Sequence, residues 1–148
     1  MVNGLADDDM INDRAGQPLS CKTIRARAEI LEPGILLLRE LPNSNAAVLA
    51  VLIDHAKELV AKEEDCVVII DLTEATSRPD PAMMRVISDS ASDFGIHVAC
   101  VQPSSIVVKA VLKFVFGRVA GIMNNSIHDT REEALAEARA VRRRRGRS

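Results

Sequence analysis

Between Asp71 and Arg85 the sequence DLTEATSRPDPAMMR places carboxylates at Asp71 and Asp80, hydroxyls at Thr73, Thr76 and Ser77, and guanidinium groups at Arg78 and Arg85. Such a set can bind a ligand, accept a phosphate or pass a proton. As a catalytic set it is poor. It has no nucleophile elbow, no glycine-rich phosphate loop and no histidine nearby in the sequence. Asp80 before Pro81 has a direct structural explanation, because aspartate is a favoured helix N-cap and proline a favoured first helical residue. The stretch therefore reads as a recognition loop running into a capped helix. Asp71, Thr73, Thr76, Ser77, Arg78 and Asp80 line the loop, and Met84 and Arg85 lie on the outer side of the helix. Ser77 and Thr76 are the candidate phosphorylation sites.

The other reactive residue types add little. His55, His97 and His128 have no metal-ligand spacing, and Cys21, Cys66 and Cys100 are odd in number, far apart and without a CxxC pair. No metal and no cofactor is expected. The cysteines read as small core residues in a reduced, cytoplasmic compartment. His128 beside Asp129, at the end of a strand, gives the lowest-ranked reading, a small-molecule enzyme working at the strand-end rim with Asp71.

Composition narrows the partners. With three Phe and no Trp or Tyr, the chain lacks platforms on which single-stranded bases could stack, which argues against nucleic acid. Its net charge of −2 conceals an asymmetry. Six of its 19 basic residues are arginines at or beyond Arg139, leaving 13 bases against 21 acids before them, a net of −8. The arginines at the chain end suit a helix carboxyl terminus, where they meet the negative end of the macrodipole. They also suit an anionic surface. The stretch Ile106 to Phe116 is apolar except for Lys109 and Lys113. It reads as a helix with an exposed apolar patch, fit for a protein partner, a homodimer or peripheral contact with a lipid surface. It is too short to span a bilayer.

These groups need elements to position them. Residues 1–20 show no sustained periodicity and read as a flexible tail. Thr23 to Glu29 alternates like a half-exposed strand, Glu32-Pro33-Gly34 reads as a turn, and Ile35 to Leu41 reads as the second strand of a hairpin. Asn43 or Ser44 can cap a helix ending near Lys62. Val67 to Ile70 is a β-branched run expected of a central strand covered on both faces. A helix follows with Met83, Ile87, Ser90/Ala91 and Phe94 inward, ended by Gly95. A strand at His97–Val101, the 106–116 helix, a strand at Ser126–His128 and a helix opened by Thr130-x-x-Glu133 complete the order. The expected fold is α/β, with about four helices and a mixed sheet of about five strands, an antiparallel hairpin leading into parallel β-α units. One domain spans 21–142, with a basic tail at 143–148.

This order, with VVIIDLTEAT and the later segments SIVVKAVLKFVFGR and IHDTREEALAEAR, resembles the STAS domain of stand-alone bacterial type, named for sulphate transporters and anti-sigma-factor antagonists. The likeness runs over roughly Thr23 to Arg142. It implies a cytosolic, non-enzymatic regulatory module that docks on a protein partner such as a regulatory kinase. In some members, phosphorylation of a serine at the start of the helix after the central strand releases that partner. Counted from Asp71, the family's Asp-Ser-Ser/Gly region falls here on Pro79, Asp80 and Pro81, with no serine. The switch is absent, or has moved to Thr76 or Ser77, or is replaced by the standing charge of Asp80.

Overall fold

A computed structural model describes residues 4–76, 79–103, 106, 109, 110 and 124–146. Its main sheet has five strands in the order β3-β4-β5-β6-β7: β3 (Ala28–Glu32), β4 (Ile35–Arg39), β5 (Val67–Asp71), β6 (His97–Val101) and β7 (Asn125–His128). β3 and β4 are antiparallel, and every later neighbour is parallel. That is the mixed sheet the sequence predicts, with β5 in its middle.

The β5 sequence explains its place. Val67 and Ile69 pack on one face with Ile35, Leu37, Ala99 and Val101, whereas Val68 packs on the other with Leu36, Leu38, Val98 and Cys100. A strand buried on both faces needs no polar alternation. Helices α1 (Cys21–Arg25), α2 (Ala46–Ala61) and α3 (Pro81–Ser90) lie on the Val68 side. Helix α4 (Arg131–Gly146) covers the Val67 side through Ala134 and Ala138, both fully buried. Alanine at these positions lets the α4 backbone approach the sheet closely.

α2 is capped by Asn45, whose side chain accepts the Val48 N–H at 2.9 Å, one to two residues beyond the expected Asn43 or Ser44. Asn43 instead takes a left-handed backbone (φ 59°), which asparagine tolerates better than most residues. α3 buries Met83 and Ser90, and Ala91 and Phe94 continue that face through a short 3₁₀ turn. Gly95 then ends the segment at φ 71°, as its sequence position predicts.

Three further expectations are corrected. The described part of the stretch expected to be a flexible tail, residues 4–20, holds a small antiparallel hairpin, β1 (Met10–Asn12) with β2 (Pro18–Ser20). Asp7 pairs with Arg25 at 2.7 Å, and Asp9 accepts the Ala6 N–H, so the acidic run finds partners that local repulsion arguments overlook. Leu5, Ile11 and Leu19 pack on the main core. The segment read as a strand from Thr23 to Glu29 opens instead as helix α1 (Cys21–Arg25), N-capped by Ser20, and β3 begins only at Ala28. Cys21 and Ile24, three apart and both fully buried, form its inner face.

Finally, α4 runs on to Gly146, so Arg143, Arg144 and Arg145 are helical, not tail. Arg139 binds Glu32, Arg142 reaches the carbonyls of Pro33 and Asp65 at 2.8 and 3.3 Å, and Arg144 and Arg145 face Glu137 and Asp65. The carbonyl edge of two turns supplies acceptors that no charge count reveals.

Candidate functional site

The carboxyl ends of the parallel strands carry the polar residues, as expected of an open α/β sheet. Asp71, last in β5, is buried, yet neither carboxylate oxygen lacks a partner. Oδ1 accepts the Thr73 backbone N–H at 2.9 Å and the Thr73 hydroxyl at 2.7 Å. Oδ2 accepts Arg131 Nη2 at 2.7 Å and Nε at 3.2 Å. Burial alone pushes the acid up, but the two Thr73 donors and the Arg131 guanidinium more than offset it and hold Asp71 below the ordinary carboxylate range. The carboxylate is thus a fixed anchor that ties the loop after β5 to the first turn of α4.

Glu40 lies one residue past β4, on the opposite face from Asp71's partners, and its N–H donates to the Asp71 carbonyl at 3.0 Å. Burial pushes this acid up, against the Leu41 N–H and the charge of Arg27. Arg27 itself binds Glu74 at 2.6 Å and so pins the same loop from the hairpin side.

Asp80 caps α3 as the sequence predicts, accepting the Met83 N–H at 2.8 Å with Pro81 at the first helical position. Arg14, in the turn of the amino-terminal hairpin, reaches Asp80 Oδ2 at 3.4 Å and Met83 Sδ at 3.1 Å. Asp80→Ala removes the cap, and thermal unfolding is expected to show a loss of about 1 kcal/mol, with Asp80→Asn retaining most of it.

The predicted site residues divide into groups. Asp71 and Thr73 meet directly. Thr76 is exposed on the loop, Met84 is half-buried on α3 and Arg85 is exposed beside it. Lys109 is half-buried in a helical position, and Ile106 nearby is 82% exposed. Ser77, Arg78 and Lys113 lie outside the described residues, as does most of the 106–116 segment.

The His128–Asp129 pair does not form. Asp129 accepts Gln102 Nε2 at 2.8 Å, whereas His128 Nε2 meets Ser126 Oγ at 2.8 Å, which also meets His97 Nε2 at 2.8 Å. Burial lowers His97 below the ordinary histidine range, which favours its neutral form. His128 is also separated from Asp71 by Val101 in the sheet register, so the two do not make a joint site. Cys100 is buried and its thiol is pushed up to about 12, which removes it as a thiolate nucleophile.

Sequence reasoning missed Arg131, Arg14 and Arg27. Arg131 had a readable signal: a cation in the first turn of a helix opposes the macrodipole and calls for an acidic partner. Arg14 and Arg27 bridge 66 and 47 positions of chain, and nothing local marks them.

No protein-family model matches the sequence, and no curated protein matches it. Among solved structures, a crystal structure from Thermotoga maritima matches 76% of this chain and 92% of its own, with 22% identity and a TM-score of 0.53. That protein is provisionally described as an anti-sigma factor antagonist. The chain has a STAS-like fold. On this STAS-like frame, the described loop residues 71–76 and 79–80 and the start of α3 lie at the carboxyl rim of the central strand. No described helix is long and apolar enough to cross a membrane.

Proposed function

We propose that this protein is a non-enzymatic regulatory module, of the anti-sigma-factor-antagonist kind, which docks on a protein partner through the loop after β5 and the outer face of α3. The carrying observation is the contrast between the two sides of α3. Its inner side buries Met83 and Ser90, whereas Pro81, Ala82, Arg85, Ser88 and Asp89 are exposed. Arg85 makes no ion pair or hydrogen bond with any described residue, so its charge stands ready for an acidic partner. Behind this face the frame is rigid, because Asp80, Arg14 and the Asp71–Arg131 pair fix the loop ends. A surface held in shape before binding loses less entropy on association.

Thr76, exposed on that loop, and Ser77 are the proposed modification sites. A phosphate there would add charge beside Glu74 and Asp80 and disfavour an acidic partner. The lipid-binding alternative is weakened by the engagement of Arg139, Arg142, Arg144 and Arg145 with the body of the protein. Charge reversal, Arg85→Glu, tests the reading: it is expected to release a protein partner that the wild type retains.

A further inference from the structure

Ser126 lies on β7, at one edge of the main sheet, between two imidazoles. His97 Nε2, from the start of β6, and His128 Nε2, from the end of β7, are each 2.8 Å from its Oγ. A hydroxyl has one hydrogen to donate, so with both rings neutral it donates to one Nε2 and accepts the Nε2–H of the other. The two histidines then hold opposite tautomers, and every group in the chain is satisfied. A first proton is held at the free Nδ1 of the donating ring without breaking the chain. A second breaks it. Both Nε2 atoms become donors, the hydroxyl hydrogen loses its acceptor, and two cations stand no farther apart than two hydrogen bonds laid end to end.

The surroundings do not relieve such a charge. Ser126 and both histidines are half-buried, and the β6 residues farther along the same face, Ala99 and Val101, are apolar. On α4, Glu137 favours a charged His97, but it already meets Arg144 at 3.2 Å, and Arg144 opposes that charge. Arg145, which lines an open cavity of about 520 Å³ beside His97, faces Asp65. Asp129 accepts Gln102 Nε2, and Glu133 accepts the Asp129 N–H. Neither ring has a carboxylate partner among the described residues.

This chain spans a junction that positions the rim. Among the described strands β7 pairs with β6 alone, and the Val98 and Gln102 N–H groups donate to the Asn124 and His128 carbonyls, each at 2.9 Å. Three residues after His128 comes Arg131, whose guanidinium holds Asp71 at 2.7 Å. We infer that the His97–Ser126–His128 chain is a proton-operated latch, which fastens β7 to β6 while one ring stays neutral and, when acid charges both, releases β7 and with it the hold of Arg131 on the rim. The latch stands on this cluster and does not require docking through α3. Its direction follows from His97, which burial above all holds below the ordinary histidine range. Its contribution is complete above about pH 6.5 and is lost as pH falls through the lower, folded value. Asp71, held below the ordinary carboxylate range, stays ionised while the latch opens.

Long-range 1H–15N NMR of the full chain near neutral pH reads the tautomers. One ring protonated at Nδ1 and the other at Nε2 is expected, and the same tautomer on both overturns the latch. Hydrogen exchange reads the opening. Corrected for intrinsic rates, the opening constants of the Val98 and Gln102 amides are expected to rise at least about tenfold between about pH 7.5 and about pH 5. The Arg39 amide, bonded to Arg27 at the other edge of the sheet, should not change. The Arg131 Nε–H resonance, which reports the bond to Asp71, should broaden over the same range. The double variant His97→Gln/His128→Gln keeps amide donors and acceptors that take up no proton, and is expected to lose the rise. No rise in the wild type, or an equal rise in the variant, overturns the inference. Should the double variant not fold, Ser126→Ala is read in its place: Val98 and Gln102 are expected to open already at neutral pH, and protection equal to that of the wild type would contradict the latch.

Discussion

Arg131→Met is expected to cost about 2 kcal/mol, lowering the melting temperature by roughly 4–8 °C in a chain of this size. The variant leaves Asp71, which is only 5% exposed on its side chain, with Thr73 as its remaining donor. Loss of one partner from a fully buried ion pair costs about 3–5 kcal/mol. The smaller figure applies because Arg131 is half exposed and solvent screens its end of the pair. The pH dependence follows from the direction of the shift. Asp71 is held below its unfolded value, so its contribution is complete above about pH 4 and is lost as pH falls through the lower, folded pKa. Acid unfolding of Arg131→Met should therefore lose part of that limb. Glu40 acts in the opposite direction: its folded pKa is raised, so acidification from neutral pH through that value adds stability. Glu40→Gln is the control that removes the second limb and leaves the first. Urea titrations between pH 3 and 7 read both, and an unchanged acid limb in Arg131→Met would contradict the anchoring role of the pair.

Gly95→Ala should be more damaging, at about 3 kcal/mol or more. Gly95 has φ 71°, a left-handed conformation that costs an L-residue about 1–2 kcal/mol. A Cβ there would also fall on the Cys66 carbonyl oxygen, which is fixed by the Ile96 N–H at 2.9 Å. That overlap with backbone adds about 1–3 kcal/mol, since neither the carbonyl nor β5 just beyond it can move freely. Denaturant midpoints measure the loss. A near-native midpoint would mean that the turn between α3 and β6 can be rebuilt.

The fold was legible where local pattern and tertiary role agree. The uninterrupted Val67–Ile70 run, the Asp80-Pro81 helix start, the Gly95 stop and the Thr130 helix start each carry their reason within a few residues, and each is found in the structure. Only the Thr130 half of the box forms as expected, because Glu133 accepts the N–H of Asp129, one residue before the cap, at 3.2 Å. The hairpin at 10–20 was not legible because its support is distant: Asn45 holds the Asn12 carbonyl, and the Asn43 carbonyl accepts the Arg14 N–H. α1 was misread because Ile24, Ala26 and Ala28 alternate over too few residues to separate a strand from one helical turn. The Ser20 cap was the better signal. At the site, the carboxylates and hydroxyls of one loop are readable locally, but the cations that organise them come from the amino-terminal hairpin, the residue before β3 and the first turn of α4. No spacing rule links Arg14, Arg27 and Arg131 to residues 71–80.

The structure also changes how the arginine-rich end should be probed. Deleting residues 140–148 would remove Arg142, Arg144 and Arg145 with their contacts to the β3–β4 turn, to Glu137 and to Asp65, and so would confound binding with stability. Arg143→Glu, an exposed position on the same helix, changes surface charge without touching those contacts. It is the matched control for α3.

The most direct measurement is affinity capture from native cells with the wild type, Arg85→Glu and Arg143→Glu, each first shown to melt at the wild-type temperature. Docking through α3 predicts a protein that the wild type and Arg143→Glu retain and Arg85→Glu loses, with purified components reproducing at least a tenfold drop in affinity, or about 1.4 kcal/mol. Equal retention of that protein by all three would contradict the assignment of α3 as the docking face.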